Sequence, residues 1–133
     1  MWAERIKSEK GSILIETVAV CLVLVVIFVA CIELFGLITT DIYMYKVARE
    51  GGREAALTNS TGTGEAKAVD VANQYLPGRN PDIKVYTAVD STKSHVICEV
   101  SIDHRFLPFL NSGGIGGTSL NAKAVYPWWD ENS

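Results

Sequence analysis

One carboxylate, Glu16, stands near the start of a long apolar segment, and its chemistry is the first question that the sequence raises. Between Ile13 and Ile38 the only charged residues are Glu16 and Glu33. A carboxylate at depth in hydrocarbon costs roughly 3 kcal/mol even on permissive insertion scales, so it is expected only where a partner neutralises it. The position of Glu16 therefore predicts an ion pair with a cationic group that is brought to it.

The other reactive side chains do not form a catalytic or metal-binding pattern. His95 and His104 fall at opposite ends of one predicted strand, about 30 Å apart, so they cannot share a metal ion within that strand. No His-x-x-x-His, Cys-x-x-Cys, nucleophile-elbow or phosphate-loop motif is present, and the glycine-rich residues 113–117 lack the lysine of a phosphate loop. We therefore expect no enzymatic activity, no cofactor and no metal site.

The three cysteines do not indicate a disulfide framework. Cys21 and Cys31 lie ten residues apart, or about 15 Å along one helix, so they cannot bond to each other within a chain. Cys98 then has no obvious mate. Intermolecular bonding or lipidation stays open, but no lipobox surrounds these residues, and the favoured interpretation is that all three are small buried hydrophobic side chains.

The segment from Ile13 to Ile38 predicts a helix that spans a membrane. Such a helix would be about 40 Å long, and a hydrocarbon core is about 30 Å thick. The leader before it, residues 1–11, is short and basic and lacks the apolar core and small-residue cleavage site of a secretory signal peptide. Cations flank the span on both sides, so counting charges does not decide its orientation.

Gly11, then four residues, then Glu16 at the head of an apolar helix resembles the class III signal of type IV pilins and pseudopilins. The resemblance implies that a prepilin peptidase cuts after Gly11. It also implies that the new α-amino group of Ser12 pairs with Glu16 of a neighbouring copy. The leader would lie in the cytoplasm and the C-terminal domain outside the cytoplasmic membrane.

A second set of motifs lies further along the chain. The sequence Cys31-Ile-Glu33-Leu-Phe35-Gly36-Leu is followed by Tyr43, Tyr45 and Val47, and then by Ala48-Arg-Glu-Gly-Gly-Arg-Glu-Ala-Ala56. This pattern covers about a third of the chain and is similar to the TadE-like family of pseudopilins in the Tad (Flp) pilus system. That family has an E-F-G-type step late in the span and an R-E-G-A-R-type step about fifteen residues on.

The TadE-like resemblance implies a structural component of pilus assembly in a bacterial inner membrane. Its partners would be the prepilin peptidase, other pilins or pseudopilins, the assembly platform and the lipid bilayer. Two positions depart from the pattern. Thr17 follows Glu16 where an aromatic residue is common in Tad substrates. Gly52 stands where the family often has alanine, which we expect to affect only the local stiffness of the helix.

The membrane helix is predicted to continue beyond the span, so that residues 12–57 form one transmembrane and stalk helix. Apolar or small residues recur there at spacings of three and four, namely Ile38, Ile42, Tyr45, Ala48, Gly52 and Ala55. Arg49, Glu50 and Arg53 lie between them. These charged residues, together with Glu33, are candidate contacts with another subunit, and a solvated helix face with intrahelical ion pairs is the equally weighted alternative.

The rest of the chain predicts a small α+β domain, one helix packed on about three antiparallel strands, over residues 65–133. Residues 58–64 read as a polar linker. A helix follows over 65–76, and its apolar stripe is expected at Ala66, Val69, Ala72, Tyr75 and Leu76.

The strands of this domain follow from apolar residues that alternate along the chain. They predict a hairpin over residues 83–89 and 96–102 and a third strand over 120–126. We expect the β-face that carries Val96, Val100 and Ile102 to pack on the helix face that carries Val69 and Ala72.

Two functions of different class are compatible with the sequence. The formal charge of −3 with scattered cations disfavours nucleic-acid binding. The first candidate is a TadE-like minor pilin or pseudopilin. The second is an uncleaved single-pass membrane protein that displays a small extracytoplasmic binding domain, and processing at Gly11 separates the two.

Overall fold

The computed structural model describes residues 2–90, 93–105 and 117–128, and for residues 2–11 the backbone alone. The elements in chain order are α1 (Trp2–Thr58), α2 (Thr61–Tyr75), β1 (Asp82–Asp90), β2 (Lys93–His104) and β3 (Thr118–Pro127). A long apolar N-terminal helix, a second helix and a three-stranded antiparallel sheet confirm the predicted α+β class. Residues 113–116 of the glycine-rich stretch lie outside the described residues.

The chain divides into two compact units, Met1–Gly36 and Leu37–Ser133. α1 runs uninterrupted through both because it contains no proline, and isolated glycines are tolerated within a long helix. In the first unit every side chain from Ser12 to Phe28 is exposed. From Ser12 onward α1 is long and apolar enough to cross a membrane by length and composition.

The second unit includes the last turns of α1, so the predicted division into a stalk and a separate domain is not observed. Residues 37–58 of α1 supply one side of the domain's core. The buried residues of this segment recur at helical spacing and are Thr40, Met44, Val47, Ala48, Gly51, Gly52 and Ala55. Met44 and Val47 are completely buried, and burial of such side chains is worth roughly 1.5–3 kcal/mol each.

α2 begins four residues earlier than the sequence predicted, and the linker shrinks from residues 58–64 to Asn59 and Ser60. Asn59 adopts a positive φ of 51°, which turns the chain after α1. The Ser60 side chain then accepts a hydrogen bond of 3.3 Å from the backbone N–H of Thr63, which caps the new helix. The polar residues that read as a linker are therefore a turn, a cap and the first turn of a helix.

The buried face of α2 also differs from the predicted stripe. It consists of Gly64, Ala68, Val71 and Ala72, whereas Val69 is 45% exposed. α2 turns its smallest residues toward α1, because the two helices approach each other closely there. That rotation carries Val69 outward, so the prediction that Val69 faces the sheet was wrong.

The sheet has the order β1-β2-β3, and both pairings are antiparallel. Val85, Cys98 and Ala124 stand opposite one another across the three strands. Val96, Val100 and Ile102 are buried, as predicted from the alternation along β2. Two helices rather than one cover this face, because the C-terminal part of α1 joins α2 in the core.

Aromatic and cationic side chains join α1 to α2 beside the core. The rings of Tyr43 and Tyr75 are 5.5 Å apart between centroids. The Lys46 amine lies 3.7 Å from the centroid of the Tyr75 ring, within the range of a cation–π contact. These contacts help to fix how far along α1 the second helix lies.

We expect Gly64→Ala to destabilise the domain. A Cβ at Gly64 would press on Ala55 and come 2.7 Å from the carbonyl oxygen of Gly51. Overpacking of this kind costs about 1–3 kcal/mol in the free energy of unfolding, which chemical denaturation of the full chain measures. Gly62→Ala is the matched control, since its Cβ would meet nothing closer than 4.0 Å and alanine favours the helix by up to about 1 kcal/mol. Equal losses in the two variants would contradict the packing argument.

Candidate functional site

The predicted processing site lies within α1, and Ser12 and Glu16 are exposed on it. They are four residues apart, so about 6 Å of helix separates their levels. The Gly11–Ser12 bond is helical as well. A peptidase would have to open a turn of helix to reach this bond, and glycine lowers that cost because it is the weakest helix former after proline.

The surface around Glu16 is a shallow apolar groove lined by Ile13, Leu14, Thr17 and Val18. The Thr17 hydroxyl donates a hydrogen bond of 2.8 Å to the carbonyl oxygen of Ile13, so this polar group is satisfied within the helix. Among the side chains that the structure describes, Glu16 has no cationic partner. A carboxylate on such a surface can recognise a cation that comes from outside the described part of this helix.

The charged residues of the second motif divide between two environments. Arg49 and Arg53 are exposed, while Glu50 and Glu33 are half-buried. The two arginines are therefore available to a partner on the outer face of α1. The structure brings these four residues to one helix and does not bring them near Glu16 along the chain, since Arg49 follows Glu16 by 33 residues.

The glycines of the same motif are buried inside the domain. A Cβ at Gly51 would come 2.7 Å from the Cβ of Ala68 on α2 and 3.1 Å from the Cys98 sulfur on β2. A Cβ at Gly52 would come 2.9 Å from the ring of Tyr126 on β3. One glycine thus admits α2 and the other admits the sheet.

The expectation that Gly52 affects only helix stiffness was therefore wrong, because its missing side chain makes room for Tyr126. The sequence held a signal for this role. Small residues recur four apart on both helices, as Gly51 and Ala55 on α1 and as Gly64 and Ala68 on α2. That spacing places small residues on one helix face, where a second helix can pack closely.

The three cysteines are free and occupy different environments. Cys98 is completely buried behind the glycines, as predicted, and burial raises the pKa of its thiol to about 11. Cys21 and Cys31 are exposed on the apolar helix, so they are not buried within this chain. The prediction of small buried hydrophobic residues holds for Cys98 alone.

A polar cluster joins three elements at one end of the domain. Arg79, in the loop after α2, places its Nη1 atom 3.2 Å from the Thr40 hydroxyl of α1 and 3.2 Å from His104 Nδ1 of β2. Thr40 and His104 are buried. No local pattern indicates this cluster, because 39 residues separate Thr40 from Arg79. No group of three metal-ligating side chains occurs in the part of the chain that the structure describes.

Comparisons of the chain with protein-family models, with curated proteins and with solved structures find no match. The site itself consists of an exposed apolar helix with one carboxylate, continued by a helix that is anchored in a small domain. This arrangement suits docking to other helices in an apolar medium.

The raised pKa of Cys98 predicts how stability changes with pH. Because the folded thiol has a pKa near 11 against an ordinary value of 9.0, the stability contributed by the neutral thiol is complete below about pH 9 and is lost as pH rises toward 11. We expect the difference in unfolding free energy between the natural protein and Cys98→Ala to be constant up to pH 9. Above that pH it should shift against the natural protein.

Denaturant unfolding of both proteins in reducing buffer over this pH range measures the difference. Taking the difference cancels the lysine and tyrosine titrations that the two proteins share. A difference that stays constant to pH 11 would show that the Cys98 thiol ionises as readily in the folded chain as in the unfolded one.

Proposed function

We propose that the chain is a TadE-like minor pilin or pseudopilin, a structural component in the assembly of a Tad (Flp) pilus. A prepilin peptidase cuts it after Gly11. The mature protein lies in the bacterial inner membrane, with its C-terminal domain outside the cytoplasm. It docks there to other pilins or pseudopilins and to the assembly platform.

The observation that carries this proposal is Glu16 on a helix that is exposed on every side. The described side chains from Ser12 to Phe28 have no packing partners in the rest of the chain. A bilayer can cover the apolar ones, but it cannot neutralise a carboxylate. Neighbouring helices of the same type can do both, since each brings an apolar surface and, after cleavage, an α-amino group.

The pairing of Glu16 with a neighbour's amine would set the register of assembly. Ser12 and Glu16 differ by about 6 Å along the helix axis, so the two groups meet when adjacent helices are staggered by about that distance. An ion pair in a low-dielectric setting loses several kcal/mol when either member is left alone. Other staggers leave both charges buried and unpaired, so a single axial register is favoured.

A second function is favoured by the completeness of the domain. Its core is built by α1, α2 and the sheet of one chain, so it needs no other subunit to fold. An uncleaved single-pass protein that displays this domain for binding would have the same fold. Only the fate of the leader and the role of Glu16 distinguish the two functions.

Cleavage between Gly11 and Ser12 is the first test. We expect the intact mass of the protein extracted from membranes to correspond to Ser12–Ser133 when an active prepilin peptidase is co-expressed. A catalytically inactive peptidase should leave the full chain from Met1. A protein that retains Met1 beside the active peptidase would support the uncleaved alternative.

Substitution of Glu16 is the second test, because it separates assembly from insertion. Glu16→Ala should leave membrane insertion and cleavage intact, yet reduce crosslinking of the mature protein to other pilins by about tenfold or more, which corresponds to a loss of at least 1.4 kcal/mol. Glu33→Ala removes the same charge from the same helix and should have a smaller effect. Undiminished crosslinking of the Glu16→Ala protein would show that the carboxylate has another purpose.

A further inference from the structure

Arg79 is presented by a turn whose backbone is specially shaped on both sides. Gly78 has a φ of +76° and Asn80 a φ of +41°, and the Arg79 N–H donates a hydrogen bond of 3.2 Å to the carbonyl oxygen of Leu76. Left-handed backbone is rare outside glycine and asparagine, so this turn holds one conformation. It directs Arg79 toward α1 and the end of β2.

The guanidinium of Arg79 is held by two buried acceptors. Its Nη1 atom lies 3.2 Å from both Thr40 Oγ1 and His104 Nδ1, and these residues are only 4% and 5% exposed. Arginine can only donate, so the Nδ1 atom of His104 accepts. The two contacts use the N–H groups of one nitrogen. The other three N–H groups of Arg79 make no hydrogen bond among the described residues.

These contacts place Arg79 at the outer end of the apolar run. Thr40 follows Ile38, the last residue of that run, by two positions, or about 3 Å of helix. The run from Ile13 to Ile38 is about 10 Å longer than a hydrocarbon core. Thr40 therefore falls about 6–11 Å outside the hydrocarbon, at the level of the lipid headgroups, when α1 spans a bilayer.

A polar pocket of about 380 Å³ opens beside the Arg79 side chain. Its polar lining includes Arg79, Asn80, Asp82, Ser101, Asp103 and Arg105. The Asp82 carboxylate lies 3.0 Å from the Lys84 amine, and this hydrogen bond and charge raise the pKa of Lys84. With Asp82 engaged by Lys84, two guanidinium groups face one remaining carboxylate, that of Asp103.

We propose that this pocket binds the phosphate of an anionic phospholipid headgroup in the leaflet next to the domain. Arg79 and Arg105 donate to the phosphate oxygens, with Asn80 and Ser101 as neutral donors. Guanidinium forks match phosphate geometry and give strong charge-assisted hydrogen bonds. The bound headgroup fixes the height of the domain above the bilayer, because Arg79 is itself bonded to Thr40.

This inference rests on α1 lying in a bilayer and is independent of cleavage and of any pilus. An uncleaved protein carries the same pocket at the same distance from Ile38. Failure of the Gly11 cleavage test would therefore leave the lipid site intact, and failure of the lipid test would leave the pilin proposal intact.

The test uses the full chain, purified in detergent after reconstitution with equimolar phosphatidylglycerol and phosphatidylcholine. Native mass spectrometry then counts the lipids of each kind that the protein retains. We expect the natural protein to favour phosphatidylglycerol. Each of Arg79→Gln and Arg105→Gln should lower that preference by about fivefold, and the double variant should abolish it. No preference in the natural protein would overturn the proposal.

Two controls separate this site from general attraction between cations and lipid. Lys93→Gln with Lys123→Gln removes two positive charges elsewhere on the sheet, at the start of β2 and within β3, and should leave the preference unchanged. An equal loss in this variant would overturn the proposal. Because Arg79 also links α1 to β2, Arg105→Gln, which lacks those contacts, keeps the test decisive if Arg79→Gln fails to fold. An unchanged preference in a folded Arg105→Gln protein would count against the site.

Inorganic phosphate distinguishes a lipid site from a site for a soluble anion. We expect that it does not displace phosphatidylglycerol, because the lipid's acyl chains hold its headgroup beside α1. Displacement by millimolar phosphate would instead identify a soluble anion as the ligand and overturn the lipid assignment.

Discussion

The domain depends on the close approach of α1 to both α2 and the sheet, which only glycine and alanine permit. Gly51 and Gly52 are adjacent on α1, and successive residues of a helix point about 100° apart. One glycine can therefore face α2 at Gly64 and Ala68, while the other faces Tyr126 and Cys98. At these points the elements meet backbone to side chain, so the core is compact although few large side chains fill it.

This packing decides what α1 can do. The helix is exposed from Ser12 to Phe28 and buried on one face from Thr40 to Ala55. The same element can thus present an apolar surface to other helices or lipid at one end and carry a folded domain at the other. Because the second part is locked by tight contacts, force applied to the domain would pass into the backbone of α1 without an intervening flexible linker.

Two polar features mark the ends of the apolar run and differ in how they are satisfied. Glu16 is exposed and has no cationic partner among the described side chains, so its partner must arrive by association. Thr40 is buried and bonded to Arg79, so this end is completed within the chain. The first feature suits assembly, and the second suits a fixed level at the membrane surface.

The sequence by itself determined the elements whose signal is local. The charge-poor run predicts the apolar helix, and the period-two alternation predicts the three strands and the burial of Val96, Val100 and Ile102. These follow from chemistry that each segment carries alone. Only the tertiary structure decided that Thr61–Gly64 is helix, that Val69 faces outward and that Gly52 makes room for Tyr126. It also decided that Arg79 reaches Thr40 and His104. Each of these outcomes depends on which distant surface comes within van der Waals or hydrogen-bond distance, and no spacing along the chain encodes that distance.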